Sequence, residues 1–152
     1  MSKGKKVAIL LAALALLVTG LIGYRRWEIP LTDVLPDGQW TGAHLLQGDP
    51  DDPEREWEVP SKADGVLGAI SAAKVTRGGG KPSLSGGYFQ MNLYQAGGSA
   101  TILYVNSRGE LAVAADMDVE HYRYYRGGEE LYEALLALCA DQTVYSALTG
   151  SI

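Results

Sequence analysis

The sequence predicts an α+β domain that follows an N-terminal transmembrane helix, with an antiparallel β-meander sheet packed against one or two helices. Three observations predict this fold class. A run of 17 uncharged residues begins at Val7 and ends at Gly23. Apolar residues then alternate with a period of two along Tyr88–Gln95. Two further segments, residues 61–73 and the segment that Glu129 opens, repeat apolar residues at the spacing of a helix face.

The N-terminal run is long enough to cross a bilayer, because a spanning helix needs roughly 17–25 apolar residues. Basic residues precede it, and two interface-seeking aromatic and two basic residues follow it: Lys3, Lys5 and Lys6, then Tyr24, Arg25, Arg26 and Trp27. A cleaved signal peptide is the alternative, but Val18, Thr19 and Gly20 form a mediocre cleavage site and apolar residues continue beyond them. We predict a cytoplasmic N-terminus over residues 1–6, a signal-anchor helix over 7–24, a tether over 25–38 and a domain over 39–152.

The charge distribution predicts that the domain is extracytoplasmic and held at the cell membrane, or secreted if the signal is cleaved. Three lysines precede the run and two arginines follow it, which favours a cytoplasmic N-terminus. Residues 27–152 hold all 18 acidic residues and 8 of the 13 basic ones, a net charge of −10. Such a domain repels nucleic acid and anionic lipid head groups, so we predict no nucleic-acid partner. The single cysteine, Cys139, excludes an internal disulfide and is expected to be a buried helix residue.

The elements follow in order from turn chemistry and hydrophobic period. Residues 40–47 and 54–59 are expected to form a hairpin around the loop GDPDDP. Residues 61–73 are expected to form a helix, which Gly65 and Gly68 weaken, and residues 74–77 a short strand.

The meander is the clearest structural signal in the chain. Three strands are expected at Tyr88–Gln95, 100–105 and 110–115, because tight turns rich in Gly, Asn and Ser separate them. A further strand is expected at 119–125, followed by a helix whose Leu131, Leu135 and Leu138 share one face. On the first of these strands the core-facing residues should be Phe89, Met91 and Leu93.

The sequence carries no catalytic motif, and it predicts neither a cofactor nor a metal site. Its two histidines, His44 and His121, have no Ser-His-Asp order, Gly-x-Ser-x-Gly elbow or HExxH around them, so they are expected to be polar strand residues. The glycines of residues 78–80 precede Lys81 without the spacing of a phosphate-binding loop. An acidic loop offers oxygen ligands that suit Ca²⁺, although its spacing fits no calcium loop and a solvated loop is favoured: Asp49, Asp51, Asp52 and Glu54.

The aromatic composition points to a binding surface, since the chain has nine tyrosines and three tryptophans against one phenylalanine. Four tyrosines on predicted strands, two of them opposite the core residues, form the candidate binding face: Tyr88, Tyr94, Tyr122 and Tyr124. Tyrosine combines a ring for packing with a hydroxyl that can stay hydrated, which suits a protein or glycan partner. The alternative is that tyrosine simply favours strands and rims the core.

The layout resembles small membrane-anchored extracytoplasmic proteins of Firmicutes that have no assigned function. The resemblance rests on the lysine-led anchor, the LPDGxWTGAHL-like opening strand that begins at Leu35, the tyrosine-rich meander and the closing ELYEALLAL helix. It implies an extracytoplasmic location in a Gram-positive bacterium and no particular activity. The sequence therefore favours a non-enzymatic binding or interaction module, and the alternative is an enzyme or enzyme inhibitor whose pocket forms only in three dimensions.

Overall fold

A computed structural model describes residues 2–48, 57–59, 63–83 and 86–149, with side chains described outside 57–59 and 140–149. The acidic loop that the sequence offers for Ca²⁺ lies outside the described residues. In chain order the elements are α1 (Lys3–Arg26), β1 (Glu28–Pro30), β2 (Trp40–Gly48), β3 (Trp57–Val59), α2 (Ala63–Ala72), β4 (Lys74–Thr76), β5 (Tyr88–Gln95), β6 (Ala100–Asn106), β7 (Leu111–Ala114), β8 (Arg123–Tyr125) and α3 (Glu129–Thr149).

Helix α1 is long and apolar enough to cross a membrane. Its 24 residues have a mean hydropathy of 2.5, and none of them is buried. At 1.5 Å per residue a helix of this length extends about 36 Å, which exceeds the roughly 30 Å of a hydrocarbon core. A signal sequence would share this length and composition. The Ser2 side chain caps the helix by accepting a hydrogen bond from the Lys5 amide at 3.4 Å.

The segment predicted as a tether, residues 25–38, is instead part of the fold. Strand β1 begins two residues after α1 ends and pairs antiparallel with β4. A 3₁₀ helix, Leu31–Val34, follows it. Leu31 is fully buried and Leu35 nearly so, and both join the hydrophobic core. The domain thus begins at the end of α1, because these two leucines anchor the segment to the core.

The main sheet has six antiparallel strands in the order β3-β2-β5-β6-β7-β8. Strands β5, β6 and β7 form the predicted meander, and β2 pairs with β5 from Trp40 to Gly48. The α+β fold class is therefore confirmed.

Helices α2 and α3 contact each other, and their buried residues belong to the same core cluster as one face of the sheet: Val66, Ile70, Leu131 and Leu135. Phe89, Met91 and Leu93 are all fully buried, as the alternation predicts. Gly65 allows the helices to approach closely, because a Cβ there would lie 3.1 Å from Cδ2 of Leu138. The glycine that weakens α2 in isolation therefore supports its packing against α3.

Two predicted boundaries differ from the structure. Only Arg123–Tyr125 of the strand expected at 119–125 is strand, because the chain turns before it: the 3₁₀ turn Ala115–Met117 is followed by a hydrogen bond from the His121 amide to the Asp118 carbonyl oxygen at 3.1 Å. In this turn Asp116 and Met117 both adopt positive φ, 52° and 62°. Helix α3 runs to Thr149 and includes most of the region in which the sequence shows no clear period.

Candidate functional site

The sheet face opposite the helices, here called the open face, carries most of the tyrosines. On β5 the residues Tyr88, Gln90, Asn92 and Tyr94 alternate with the buried core residues. The register then aligns Gln90 with Tyr104, Tyr104 with Ala112, and Ala112 with Tyr124. Side chains aligned across neighbouring strands lie on the same face. The open face is therefore continuous from β5 to β8.

Four tyrosine rings form a continuous row on this face. The ring centroids of Tyr88 and Tyr104 are 6.0 Å apart, and those of Tyr104 and Tyr122 are 6.1 Å apart. The rings of Tyr122 and Tyr124 stack at 6.4 Å with an interplanar angle of 17°. These separations suit direct interaction between aromatic rings. All four residues are half-buried, and α2 and α3 pack on the other face of the sheet.

The row lines a shallow cavity, here called the tyrosine groove, of about 310 Å³. Its lining consists of Lys81, Pro82, Tyr88, Gln90, Tyr104, Ala112, Tyr122 and Tyr124. The floor is low at Ala112, because this small residue stands between Tyr104 and Tyr124 in the cross-strand register. The Gln90 amide donates a hydrogen bond to Oδ1 of Asn92 at 3.0 Å, so polar groups border the aromatic rings.

The loop that forms the Lys81–Pro82 wall of the groove is fixed by a buried asparagine. Asn106 is 1% exposed, and its Nδ2 donates to the Ser83 carbonyl oxygen at 2.7 Å. Its Oδ1 accepts from the amides of Arg108 and Glu110 at 3.1 and 3.0 Å. The Ser83 amide in turn donates to Glu110 Oε2 at 2.9 Å.

The glycine-rich part of the same loop lies against β8. A Cβ at Gly79 would come within 2.7 Å of the Tyr125 backbone, so the loop can approach the strand this closely only with glycine there. The wall of the groove is thus part of the folded structure, held at Gly79 and at Ser83.

The structure brings three of the four predicted tyrosines together and separates the fourth. Tyr94 lies near the far end of β5 and does not line the groove; its ring packs edge-on against His44, with centroids 5.2 Å apart. Tyr88 reaches the groove because it lies over Gly48 on β2, where any Cβ would overlap its ring. The hydrophobic pattern of the sequence does not place Tyr104 and Ala112 on this face. Their positions follow from the register of β5, β6 and β7, which that pattern does not determine.

A second cavity, here called the polar cavity, lies beside β7 and β8 on the face opposite the groove. It has a volume of about 450 Å³ and is lined by Asp33, Val34, Leu35, Pro36, Arg77, Val113, Ala115, Asp118, His121, Arg123 and Tyr125. Val113 and Tyr125 are core-facing residues of β7 and β8, whereas the groove uses Ala112 and Tyr124 of the same strands. The two cavities therefore occupy opposite faces of the sheet.

The polar cavity contains His121, which pairs with a carboxylate. His121 Nδ1 lies 3.0 Å from Asp118 Oδ2, and the side chains are 79% and 54% exposed. His44 instead packs against Tyr94 on the open face. The described lining of the polar cavity has carboxylates, Asp33 and Asp118, beside the histidine, but no serine, threonine or cysteine.

Cys139 is half-buried in α3, and burial raises the pKa of its thiol. Burial, followed by the charges of Glu133 and Cys139, likewise raises the pKa of Tyr132, whose ring packs 5.3 Å from Phe89. Both side chains therefore stay protonated at neutral pH and serve packing. Across the described part of the chain, no three His, Cys, Asp or Glu residues form a group that could hold a metal ion.

Comparison of the chain with models of protein families, with curated proteins and with solved structures gave no match.

Proposed function

We propose that this protein is a membrane-anchored, extracytoplasmic binding module whose ligand site is the tyrosine groove. The observation that carries the proposal is the continuous row of Tyr88, Tyr104, Tyr122 and Tyr124 along a concave surface that the helices leave uncovered. Binding sites are typically concave, mostly apolar and bordered by a few polar groups, and about 310 Å³ lies within their usual size range.

The groove chemistry favours a short neutral oligosaccharide as the ligand. Sugar rings present apolar C–H faces, which pack on aromatic rings, and hydroxyl edges, which hydrogen-bond to phenols and amides such as that of Gln90. Lys81 is the charged residue in the described lining, and the domain around it is acidic, so polyanionic ligands are disfavoured. A proline-rich peptide also binds aromatic grooves and is the alternative ligand for this site.

The membrane location rests on α1 and on the charge bias around it. Its exposed apolar surface requires a bilayer or removal by signal cleavage, and the weak cleavage site favours retention. The protein should therefore stay with the membrane fraction in carbonate at high pH. Release by carbonate would contradict the anchor, and a mature N-terminus near Leu21 would show a cleaved signal. The extracytoplasmic side and the Gram-positive source stay predictions from charge bias and resemblance.

The groove is tested by replacing Tyr122 and Tyr124 with serine in the full chain, held in detergent or nanodiscs. Screening of the wild-type protein against neutral oligosaccharides and proline-rich peptides first selects the ligand, and titration then measures its Kd. Since each aromatic contact contributes about 0.5–1.5 kcal/mol, the double variant should bind about five- to 160-fold more weakly.

Tyr94→Ser is the matched control, because Tyr94 is half-buried on the same face but outside the groove. Its ligand affinity should equal that of the wild type. Equal weakening in the control and the double variant would show that the groove is not the site. Binding of peptides in place of oligosaccharides would keep the site and change the ligand class.

The His121–Asp118 pair supports a second candidate, an enzyme that uses a histidine base on water in the polar cavity. The solvent exposure of both side chains makes this candidate weaker. The two candidates are separable because the cavities lie on opposite faces. His121→Ala should abolish any turnover while leaving groove binding intact. The double variant, Tyr122→Ser with Tyr124→Ser, should weaken groove binding while leaving any turnover intact.

A further inference from the structure

The loop that forms one wall of the tyrosine groove begins beside the last turn of α1. The Arg77 guanidinium carbon lies 4.6 Å from the ring centroid of Tyr24. A Cβ on Gly78 would lie 3.8 Å from Cδ of Arg25. Tyr24 directly follows the uncharged run that ends at Gly23. If α1 spans the bilayer, Arg77 and Gly78 therefore lie at the level of the lipid head groups.

The same corner of the domain concentrates its positive charge. Five of the 8 basic residues in residues 27–152 belong to it: Lys74, Arg77, Lys81, Arg123 and Arg126. Main-chain pairing holds these segments together. Strand β4 pairs with β1, and Thr76 exchanges two hydrogen bonds with Arg126 at 2.8 and 2.9 Å. Arg25 and Arg26 of α1 add two further charges.

Few acidic residues offset this charge locally. Glu28 lies opposite Thr76 in the β1–β4 pair, and Asp33 and Asp118 share the polar cavity with Arg77 and Arg123. The ion pair among the described residues joins His121 to Asp118, so none of the described carboxylates pairs with Arg77 or Lys81. The corner is therefore cationic although residues 27–152 have a net charge of −10.

We propose that this corner binds the anionic phospholipid head groups of the bilayer that holds α1, and thereby seats the domain on the membrane. This corner, here called the basic surface, consists of seven residues that are all exposed except the half-buried Arg77: Arg25, Arg26, Lys74, Arg77, Lys81, Arg123 and Arg126. It is continuous with the membrane-spanning helix, and its charge is complementary to an anionic surface. The proposal rests on the membrane anchor of the proposed function and does not depend on the groove.

Local charge governs this interaction, because salt screens charges beyond about 8 Å at physiological ionic strength. The expectation that an acidic domain is repelled by anionic lipid head groups follows from its net charge. That expectation does not apply to a corner where basic residues outnumber acidic ones and lie next to the helix end. The rest of the acidic surface instead favours one orientation, with the basic surface towards the bilayer.

The test measures lipid selectivity around the full-length protein in nanodiscs. Spin-labelled phosphatidylglycerol and phosphatidylcholine are added in turn, and electron paramagnetic resonance gives the fraction of each that the protein immobilises. The wild type should prefer phosphatidylglycerol about three- to fivefold at low salt, and the preference should largely vanish in 0.5 M NaCl, a concentration of short Debye length (~4 Å).

The decisive variant is Arg77→Gln with Lys81→Gln, which retains Arg25 and Arg26. It should reduce the preference at least twofold. Arg108→Gln is the control, because Arg108 is an exposed arginine in the turn between β6 and β7 and lies outside the basic surface. Its selectivity should match that of the wild type. If the double variant misfolds by circular dichroism, Lys81→Gln and Arg126→Gln separately replace it, since both single variants retain the contact of Arg77 with the Tyr24 ring.

Equal selectivity in the wild type, the double variant and the Arg108 control would overturn the proposal and leave the anchor intact. Failure of the protein to enter nanodiscs would overturn both the anchor and the basic surface. Loss of ligand binding at the groove with retained lipid selectivity would contradict only the binding function. The three failures are therefore distinguishable.

Discussion

At the scale of single residues, burial decides whether a reactive group is available. Cys139 is the single cysteine of the chain, and burial raises the pKa of its thiol. Reaction with disulfide reagents requires the thiolate. A raised pKa lowers the thiolate fraction at neutral pH, and the fraction recovers only as the pH rises towards the higher pKa.

The first prediction is that Cys139 reacts with a disulfide reagent at pH 7.5 at least tenfold more slowly in the folded protein than in urea. The rate in the folded state should rise steeply between pH 8 and 10. Colorimetric detection of the released thiolate gives both rates. Equal rates in the folded and unfolded protein would show that the thiol is accessible and its pKa ordinary.

Asn106 is the polar residue on which the groove wall depends most. Its side chain contacts the Ser83 carbonyl oxygen and the amides of Arg108 and Glu110. Asn106→Ala would leave these part-buried groups with fewer partners, so we expect it to lower the free energy of unfolding by about 1–3 kcal/mol. Urea denaturation of the full chain in detergent measures the change.

Asn92→Ala serves as the matched control for this second prediction, because Asn92 is half-buried on the same face and accepts one bond from Gln90. Its expected cost is below about 1 kcal/mol. Asn106→Ala should also weaken ligand binding, since the Lys81–Pro82 wall loses its support. A cost equal to that of the control would show that the network does not hold the loop.

At the scale of elements, the alternating pattern of β5 determines which face enters the core. Leu93 is fully buried, whereas its neighbour Tyr94 is half-buried on the open face. The third prediction is that Leu93→Ala costs about 2–5 kcal/mol, because it removes buried methyl groups and leaves a cavity. Tyr94→Ser should cost clearly less. Chemical denaturation of both variants tests the assignment, and a loss under about 0.5 kcal/mol for Leu93→Ala would contradict it.

The meander could be predicted because its pattern is local. Strict alternation and tight turns specify β5, β6 and β7 without any knowledge of distant contacts. The ordered segment after α1 could not be predicted in this way. Leu31 and Leu35 lie in a short segment that prolines and acidic residues interrupt, with no helical or strand period. Their burial depends on contacts with the core and on the pairing of β1 with β4, which are distant in sequence.

The groove could be predicted only in part, because it combines a local pattern with contacts between distant strands. Alternation identifies Tyr88 and Tyr94 as sharing a face, but it cannot tell which ring meets β6. The strand register decides this, because it aligns Gln90 with Tyr104. Tyr94 lies near the end of β5, where its ring packs against His44. The wall of the groove also depends on contacts distant in sequence, those of Gly79 with the Tyr125 backbone and of Ser83 with Asn106.

At the scale of the whole molecule, the short junction between α1 and β1 connects the two proposals. Lys81 belongs to both the tyrosine groove and the basic surface. Lys81 lies four positions after Arg77 in the chain, a distance of at most about 14 Å. If Arg77 lies at the level of the head groups, the groove opens close to the membrane, where a ligand held near the lipid surface would meet it.

The fourth prediction is that a flexible insertion of Gly-Ser-Gly-Ser between Trp27 and Glu28 frees the domain from the bilayer while the fold persists. Strand β1 begins two residues after α1, so the present junction restricts the domain, whereas a Gly/Ser linker behaves as a flexible coil. A spin label at Ser107→Cys, in a Cys139→Ser background, reports domain rotation in nanodiscs. The native junction should give a slow, membrane-limited spectrum and the insertion a faster one, more so after Arg77→Gln with Lys81→Gln. Equal mobility with and without the insertion would mean that the junction does not restrict the domain, and that any seating on the membrane comes from the basic surface alone.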